Sequence, residues 1–300
     1  MFKGFCHSVM GASHEKRGIV CQDSSAYKVG EGFAIAVVAD GHGSKKHFRS
    51  NIGSKCAAEA AVETVERFFA DPDLFDESIK KDYRRVCRMI EKQTLMLWNE
   101  KVLAHLEANP VTMDEKHLFD HETFMEIPPE SYYGTTLVCA VAGRDYSFGF
   151  QIGDGSMVAV FENGDTEQII DYEESNPANI TASMCNAMAS TMFDEFFVED
   201  RRLLCFFVST DGLYTSFGSD RDFLDFHTII AGQLPNIDTF MPSLKNNLVK
   251  RSHFGTEDDI SLSCVYDAEL AVSGLDTIKA KIIANKREAA ERKAKLLGKQ

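Results

Sequence analysis

No stretch of eighteen or more apolar residues occurs in this 300-residue chain, which excludes a membrane-spanning helix of ordinary composition. The opening residues Met1-Phe2-Lys3-Gly4-Phe5-Cys6-His7 lack the long apolar segment of a secretory leader, so a cytoplasmic protein is expected. No CxxC pair is present. The eight cysteines are widely spaced, and several lie inside apolar runs where a reduced thiol behaves as a small hydrophobe, which argues against both zinc and disulfides. Basic side chains are in deficit, 32 against 46 acidic, and the resulting charge of −14 disfavours nucleic acid as the main partner. There is no internal repeat and no low-complexity tract.

What is present is ample apolar material for a core, 44% of the residues, unevenly decorated with charge. Residues 278–300 carry eight Lys or Arg and two Glu, a local charge of +6, so the other 277 residues carry −20. This contrast divides the chain into a body over residues 1–270 and a basic helical tail over 271–300. The tail could dock on an acidic surface, including that of its own body, or remain a solvated helix.

Apolar runs at Phe33–Ala39, Thr136–Ala142, Tyr146–Ile152, Met157–Phe161, Leu203–Ser209 and Ile260–Tyr266 read as strands. The three from Thr136 to Phe161 are joined by short turns and predict a meander. Helical spacing predicts helices from Asn51 to Phe69, from Ser78 to about Leu106, over roughly 220–231 and 237–250, and over a Met- and Ala-rich segment from about Ile180 to Met192. Residues 107–131, polar and carrying Pro110, Pro128 and Pro129, read as an irregular insertion. Strands and helices in blocks predict an α+β protein, an antiparallel β-sandwich flanked by helix layers.

Three of these runs end in an aspartate beside glycine: Asp40-Gly41-His42-Gly43, Gly153-Asp154-Gly155 and Asp211-Gly212. A fourth acidic pair, Asp258-Asp259, directly precedes the run from Ile260. In antiparallel neighbours the end of one strand lies beside the start of the next, so all these acids can meet at one sheet edge. Carboxylates gathered without cations repel one another, so the cluster implies bound hard metal ions. Mn²⁺ or Mg²⁺ would suit Asp40, Asp211 and Asp258, with the Gly41 carbonyl as a further ligand. Two such ions about 3.5 to 4 Å apart can activate a shared water toward phosphorus, which points to phosphate ester hydrolysis.

The ordered set resembles the metal-dependent protein phosphatases (PPM, type 2C serine/threonine phosphatases) in their bacterial form. Gly11-Ala12-Ser13-His14 with Cys21-Gln22-Asp23 looks like the first motif, and Asp40-Gly41-His42-Gly43 the second. Tyr133-Gly134-Thr135-Thr136 is similar to the Gly-Thr-Thr strand opening, and Gly153-Asp154-Gly155 to the Gly-Asp-Gly turn. Ser209-Thr210-Asp211-Gly212-Leu213 and Asp258-Asp259-Ile260-Ser261 are similar to the closing metal motifs. The resemblance implies the PPM fold and two Mn²⁺ or Mg²⁺ ions on Asp40, Gly41, Asp211 and Asp258. It also implies a third, weaker ion near Asp154, and that Asp23 orients metal-bound waters without itself touching the ions. It implies hydrolysis of phosphoserine and phosphothreonine on protein substrates by metal-activated water.

His42, two residues after Asp40, is the candidate general acid. Where the eukaryotic members of the family carry a phosphate-binding arginine this chain has Gly18, with Arg17 one position further back; Arg17 and His14 are the candidates for that task. The departure supports a second reading, a non-catalytic phosphatase-like module that binds phosphoproteins or acts as a regulatory scaffold. His117 and His121 have the i, i+4 spacing of a helical metal pair but no third ligand, and read as solvated.

Overall fold

The computed structural model describes residues 1–170 and 181–297. Two five-stranded sheets, antiparallel throughout, form a sandwich between helix layers. One sheet comprises β1 (Phe2–Val9), β10 (Ile260–Asp267), β9 (Leu203–Ser209), β6 (Ser156–Phe161) and β7 (Thr166–Gln168), in that order. The other comprises β2 (Ser24–Val29), β3 (Phe33–Ala39), β4 (Leu137–Gly143), β5 (Ser147–Ile152) and β8 (Asp194–Val198). This is the expected α+β sandwich.

The apolar runs are continuous because their strands are buried on both faces. In β3, Ala34, Ala36 and Val38, with Ala140 and Ala142 of β4 beside them, meet the opposite sheet through Ala159, Val208 and Val265, and these small side chains allow close sheet packing. The alternate residues Ile35 and Val37 face a helix layer containing α2 (Ser50–Phe68), α3 (Pro72–Lys81) and α4 (Tyr83–Ala108). On the far side, α8 (Asp220–Ala231) and α9 (Ile237–Arg251) cover β9 and β10. Short helices complete the chain: α1 (Ala12–Arg17), α5 (Met113–Lys116), α6 (His121–Glu126), α7 (Asp211–Tyr214) and α10 (Ala268–Ser273). The basic segment lies in α11 (Leu275–Leu297). There Ile278 is buried in the core, Lys281 stands 3.6 Å from Asp165, and Asn285 donates to Asp225 at 2.7 Å.

Four expectations need correction. The chain from Thr136 to Phe161 is no meander: β5 and β6 lie in different sheets, so the Gly153-Asp154-Gly155 turn crosses the sandwich. Gly153 takes φ 101°, and a Cβ at Gly155 would stand 2.5 Å from the Val138 side chain. The helix expected from Ser78 to Leu106 is two, because Asp82 breaks the run and caps α4 by accepting from Arg85 N at 3.1 Å. The helix expected over Ile180–Met192 is reduced, in its described part, to a single 3₁₀ turn at Ala189–Thr191; Ile180 lies outside the described residues. The 107–131 insertion contains α5 and α6; His117 follows the end of α5 and His121 opens α6, so the two do not share a helix. Arg49 pins this insertion: its guanidinium donates to both Glu115 oxygens at 2.8 and 2.9 Å and to the Asn109 carbonyl at 2.7 Å.

One core group is out of keeping with its surroundings. Glu91 on α4 is buried, its Oε1 has no hydrogen-bond partner among the described residues, and burial followed by the charge of Glu195 pushes its pKa to about 7. Between about pH 4.5, where the unfolded chain releases this proton, and about pH 7, the native state still holds it. Stability therefore falls as pH rises through that window. Glu91→Gln should cancel the loss. Urea denaturation of both proteins should show the variant's advantage widening by about 2 kcal/mol from pH 5 to pH 8. An advantage that does not change with pH would overturn this account.

Candidate active site

The sheet topology brings the ends of β3 and β9, the start of β10 and the β5–β6 crossing to one end of the sandwich. Both sheets contribute, rather than a single sheet edge. Asp40 closes β3 and is fastened by the Gly-Thr-Thr segment. Its N–H donates to Thr136 Oγ1 at 3.0 Å, while its carbonyl accepts from Thr136 N and Thr135 Oγ1, each at 2.8 Å. Gly41 is required by space, since a Cβ there would lie 2.7 Å from the Gln22 carbonyl oxygen and 2.8 Å from that of Ser50. Asp211 opens α7 directly after β9.

The carboxylates converge. Burial, then the charges of Asp23 and Asp211, hold the Asp40 carboxyl well above the usual range. Burial and then the charge of Asp154 push Asp211 up to about 6, and its Oδ1 is buried without a partner among the described residues. Asp258 is raised by burial, while the charges of His14 and Arg17 oppose the shift. Asp23 is raised by burial, against the Thr210 hydroxyl that donates to its Oδ2 at 2.7 Å. Asp154 accepts from Thr181 Oγ1 at 2.8 Å. Among the described residues, no three His, Cys, Asp or Glu side chains form a ready-made metal cage.

The other candidates take distinct positions. His14 is buried, its Nδ1 2.9 Å from Asp259 Oδ1. Asp259 also accepts from the backbone N–H groups of Gly11 and Gln22, so it stitches the first motif to the last. Arg17 ends α1, exposed, with Nε donating to the Ser13 carbonyl at 3.1 Å. His42 is largely buried beside His47, their rings 5.0 Å apart, and burial lowers its pKa to about 4. It is therefore neutral at neutral pH, which opposes the imidazolium that a general acid needs. Two contributors were not singled out from sequence, Asp259 as a stitch and Thr210 as a bridge. The Thr210 hydroxyl accepts from Ser261 N at 2.9 Å while donating to Asp23. The only signal for either was its place inside a motif.

A family model described as Protein phosphatase 2C matches residues 10–249. The chain belongs to that family. The match ends before Asp258, which the fold nonetheless delivers to the cluster. Among solved structures, a bacterial serine phosphatase is 15% identical at a TM-score of 0.54, covering 89% of this chain and 98% of its own. The catalytic domain of the serine/threonine protein phosphatase PstP, solved with two manganese ions, is 13% identical at a TM-score of 0.51, covering 88% of this chain and 97% of its own. PppA of Pseudomonas aeruginosa, a regulatory component of its type VI secretion system, is 18% identical at 0.50, with coverages of 88% and 97%. At these identities the likeness to the phosphatase structures shows the shared fold. No curated protein sequence matches the chain. Among the described residues no helix is long and apolar enough to cross a membrane.

Proposed function

We propose that this phosphatase-family chain is a metal-dependent enzyme hydrolysing phosphoserine and phosphothreonine on proteins in the cytoplasm, with residues 1–270 as its catalytic body. One observation carries the reading: Asp23, Asp40, Asp211 and Asp258 are gathered into mutual repulsion, and Asp211 Oδ1 is buried without a partner among the described residues. Such an arrangement is costly unless cations occupy it. Mn²⁺ or Mg²⁺ fits the donor set, because these ions retain several waters and need only one or two carboxylates each. The manganese held by the PstP structure supports the same ion class.

Asp40, Asp211, Asp258 and the Gly41 carbonyl would hold two ions, with Asp154 as the anchor of a third. When bound, the ions supply an activated water and screen the phosphate charge. Asp23, fixed by Thr210, orients water in the cleft as a hydrogen-bond acceptor. Arg17, whose charge reaches Asp258, would receive the substrate phosphate, whereas His14 is engaged by Asp259. Neutral His42 would orient the leaving oxygen through a hydrogen bond.

Phosphate release from a phosphothreonine peptide and from an aryl phosphate, with Mn²⁺, Mg²⁺ or EDTA, tests this. Turnover should require metal and be abolished by EDTA. Protein that binds Mn²⁺ yet releases no phosphate from either substrate would overturn the catalytic reading and leave a phosphoprotein-binding module.

A further inference from the structure

Alongside α3 and α4 lies a surface cleft of about 640 Å³, its floor made by Phe68, Phe75 and Val86, with Leu74 and Met89 on its walls. Leu74 is 61% exposed and Met89 43%, and Met96, two turns beyond Met89 on α4, is 63% exposed. Arg67, Lys81 and Arg85 rim the cleft, and a contiguous shelf is lined by Arg84, Arg88 and Lys92. These six cations meet only two carboxylates in the same lining, Asp71 and Asp82. Both of those already cap helices, accepting from Leu74 N at 3.2 Å and Arg85 N at 3.1 Å. Among the described residues, Lys81, Arg85, Arg88 and Lys92 have no carboxylate within 4 Å.

This patch opposes two trends in the molecule. The chain as a whole carries −14, so so dense a cationic strip is not its ordinary surface. The cations also stand where the helix disfavours them: the first turn of α4 contains Arg84 and Arg85 and no acid, although the positive end of the helix dipole favours acids there. A local choice that conflicts with its own helix marks a position kept for something other than stability.

We propose that this cleft docks an acidic, amphipathic segment of a partner protein. Its bulky apolar side chains would enter between Leu74 and Met89, and its carboxylates would pair with Arg85, Arg88 and Lys92. The cleft begins at the C-terminal end of α2, whose N-terminal end abuts the Asp40 loop. The nineteen residues of that helix place the cleft roughly 25–30 Å from the acidic cluster. It is therefore a recognition surface remote from the chemistry, independent of whether the cluster turns over.

The test is fluorescence anisotropy on the full chain, with a labelled sixteen-residue helical peptide of Glu bearing Leu at i, i+3, i+4 and i+7. Counterparts carry Lys for Glu, or Ser for Leu. Only the Glu/Leu peptide should bind, and Arg85→Glu/Arg88→Glu should weaken it at least tenfold. Arg85→Glu places an acid in the first turn of α4, where the dipole favours it, whereas Arg88→Glu removes a charge that offsets the buried Glu91; far-UV circular dichroism therefore checks that the double variant is folded, and its aryl phosphate turnover should be unchanged. Equal binding to variant and wild type overturns the proposal, as does equal binding of the Ser peptide. Co-sedimentation with phosphatidylglycerol vesicles in place of peptide binding would identify a membrane contact instead. A dimer abolished by the double variant, again without peptide binding, would identify a second copy.

Discussion

Asp211→Asn should abolish metal-dependent turnover while making the metal-free protein more stable. The substitution keeps the size of the side chain and removes one charge from a cluster in which Asp40, Asp154 and Asp258 all face it. Two ions held as proposed would contribute several kcal/mol of charge stabilisation to the transition state, so losing a ligand should cost about 10³-fold in turnover. In EDTA the same change relieves repulsion worth on the order of 1 kcal/mol and should raise Tm by roughly 1–2 °C. Mn²⁺ should raise the Tm of the wild type through its preferential binding to the native state and leave that of the variant nearly unmoved. Asp40→Asn should behave in the same way. A variant that melts earlier than wild type in EDTA would show instead that the carboxylate has a structural role.

The expected strands that proved correct share one property. β3, β4, β5, β6, β9 and β10 are interior strands, buried on both faces, and burial on both faces writes an unbroken apolar run into the sequence. The strands not anticipated, β1, β2, β7 and β8, are the four sheet edges. Ser24–Val29 shows why: none of its residues is fully buried, so Ser-Ser-Ala-Tyr-Lys-Val carries no strong pattern. The β5–β6 crossing was illegible for another reason. A short glycine turn serves a hairpin and a sheet-to-sheet crossing equally well, and only contact with Val138 and Thr136 decides between them.

The site was legible as a set of aspartates, because each follows or precedes an interior strand and carries glycine beside it. The interactions that hold those aspartates were not. The Asp259 contacts to Gly11, His14 and Gln22 span more than two hundred residues, and nothing local in Asp258-Asp259 says which acid faces the cleft and which turns inward. The surroundings of His42 were illegible for a similar reason. A histidine in a turn suggests a group that titrates near neutrality, whereas its burial beside His47 lowers its pKa to about 4.

Gly53→Ala should be among the most disruptive single-methyl changes in the molecule. In an isolated helix alanine is preferred over glycine by about 1 kcal/mol, and Gly53 lies within α2, so local propensity favours the substitution. Tertiary contact reverses the sign. A Cβ at this position would stand 1.9 Å from the Tyr133 carbonyl oxygen and 2.7 Å from its carbon, and the atoms that must give are backbone rather than the end of a flexible side chain. The helix cannot withdraw easily, since Trp98 Nε1 donates to the Gly53 carbonyl at 3.0 Å and Arg49 N donates to the Tyr132 carbonyl at 2.8 Å. Overpacking of this kind costs about 3 kcal/mol or more, which outweighs the gain in propensity and should lower Tm by roughly 5–10 °C. The displaced segment continues through Gly134 and Thr135 into Thr136, whose backbone and side chain hold Asp40, so turnover should fall with stability. Gly218→Ala is the matched control, since a Cβ there meets nothing within 4 Å, and it should stay within about 0.5 kcal/mol of wild type. Calorimetry and turnover on the two variants decide the matter: Gly53→Ala melting alongside Gly218→Ala would mean that the turn at Tyr133 yields, and that α2 does not set the position of Asp40.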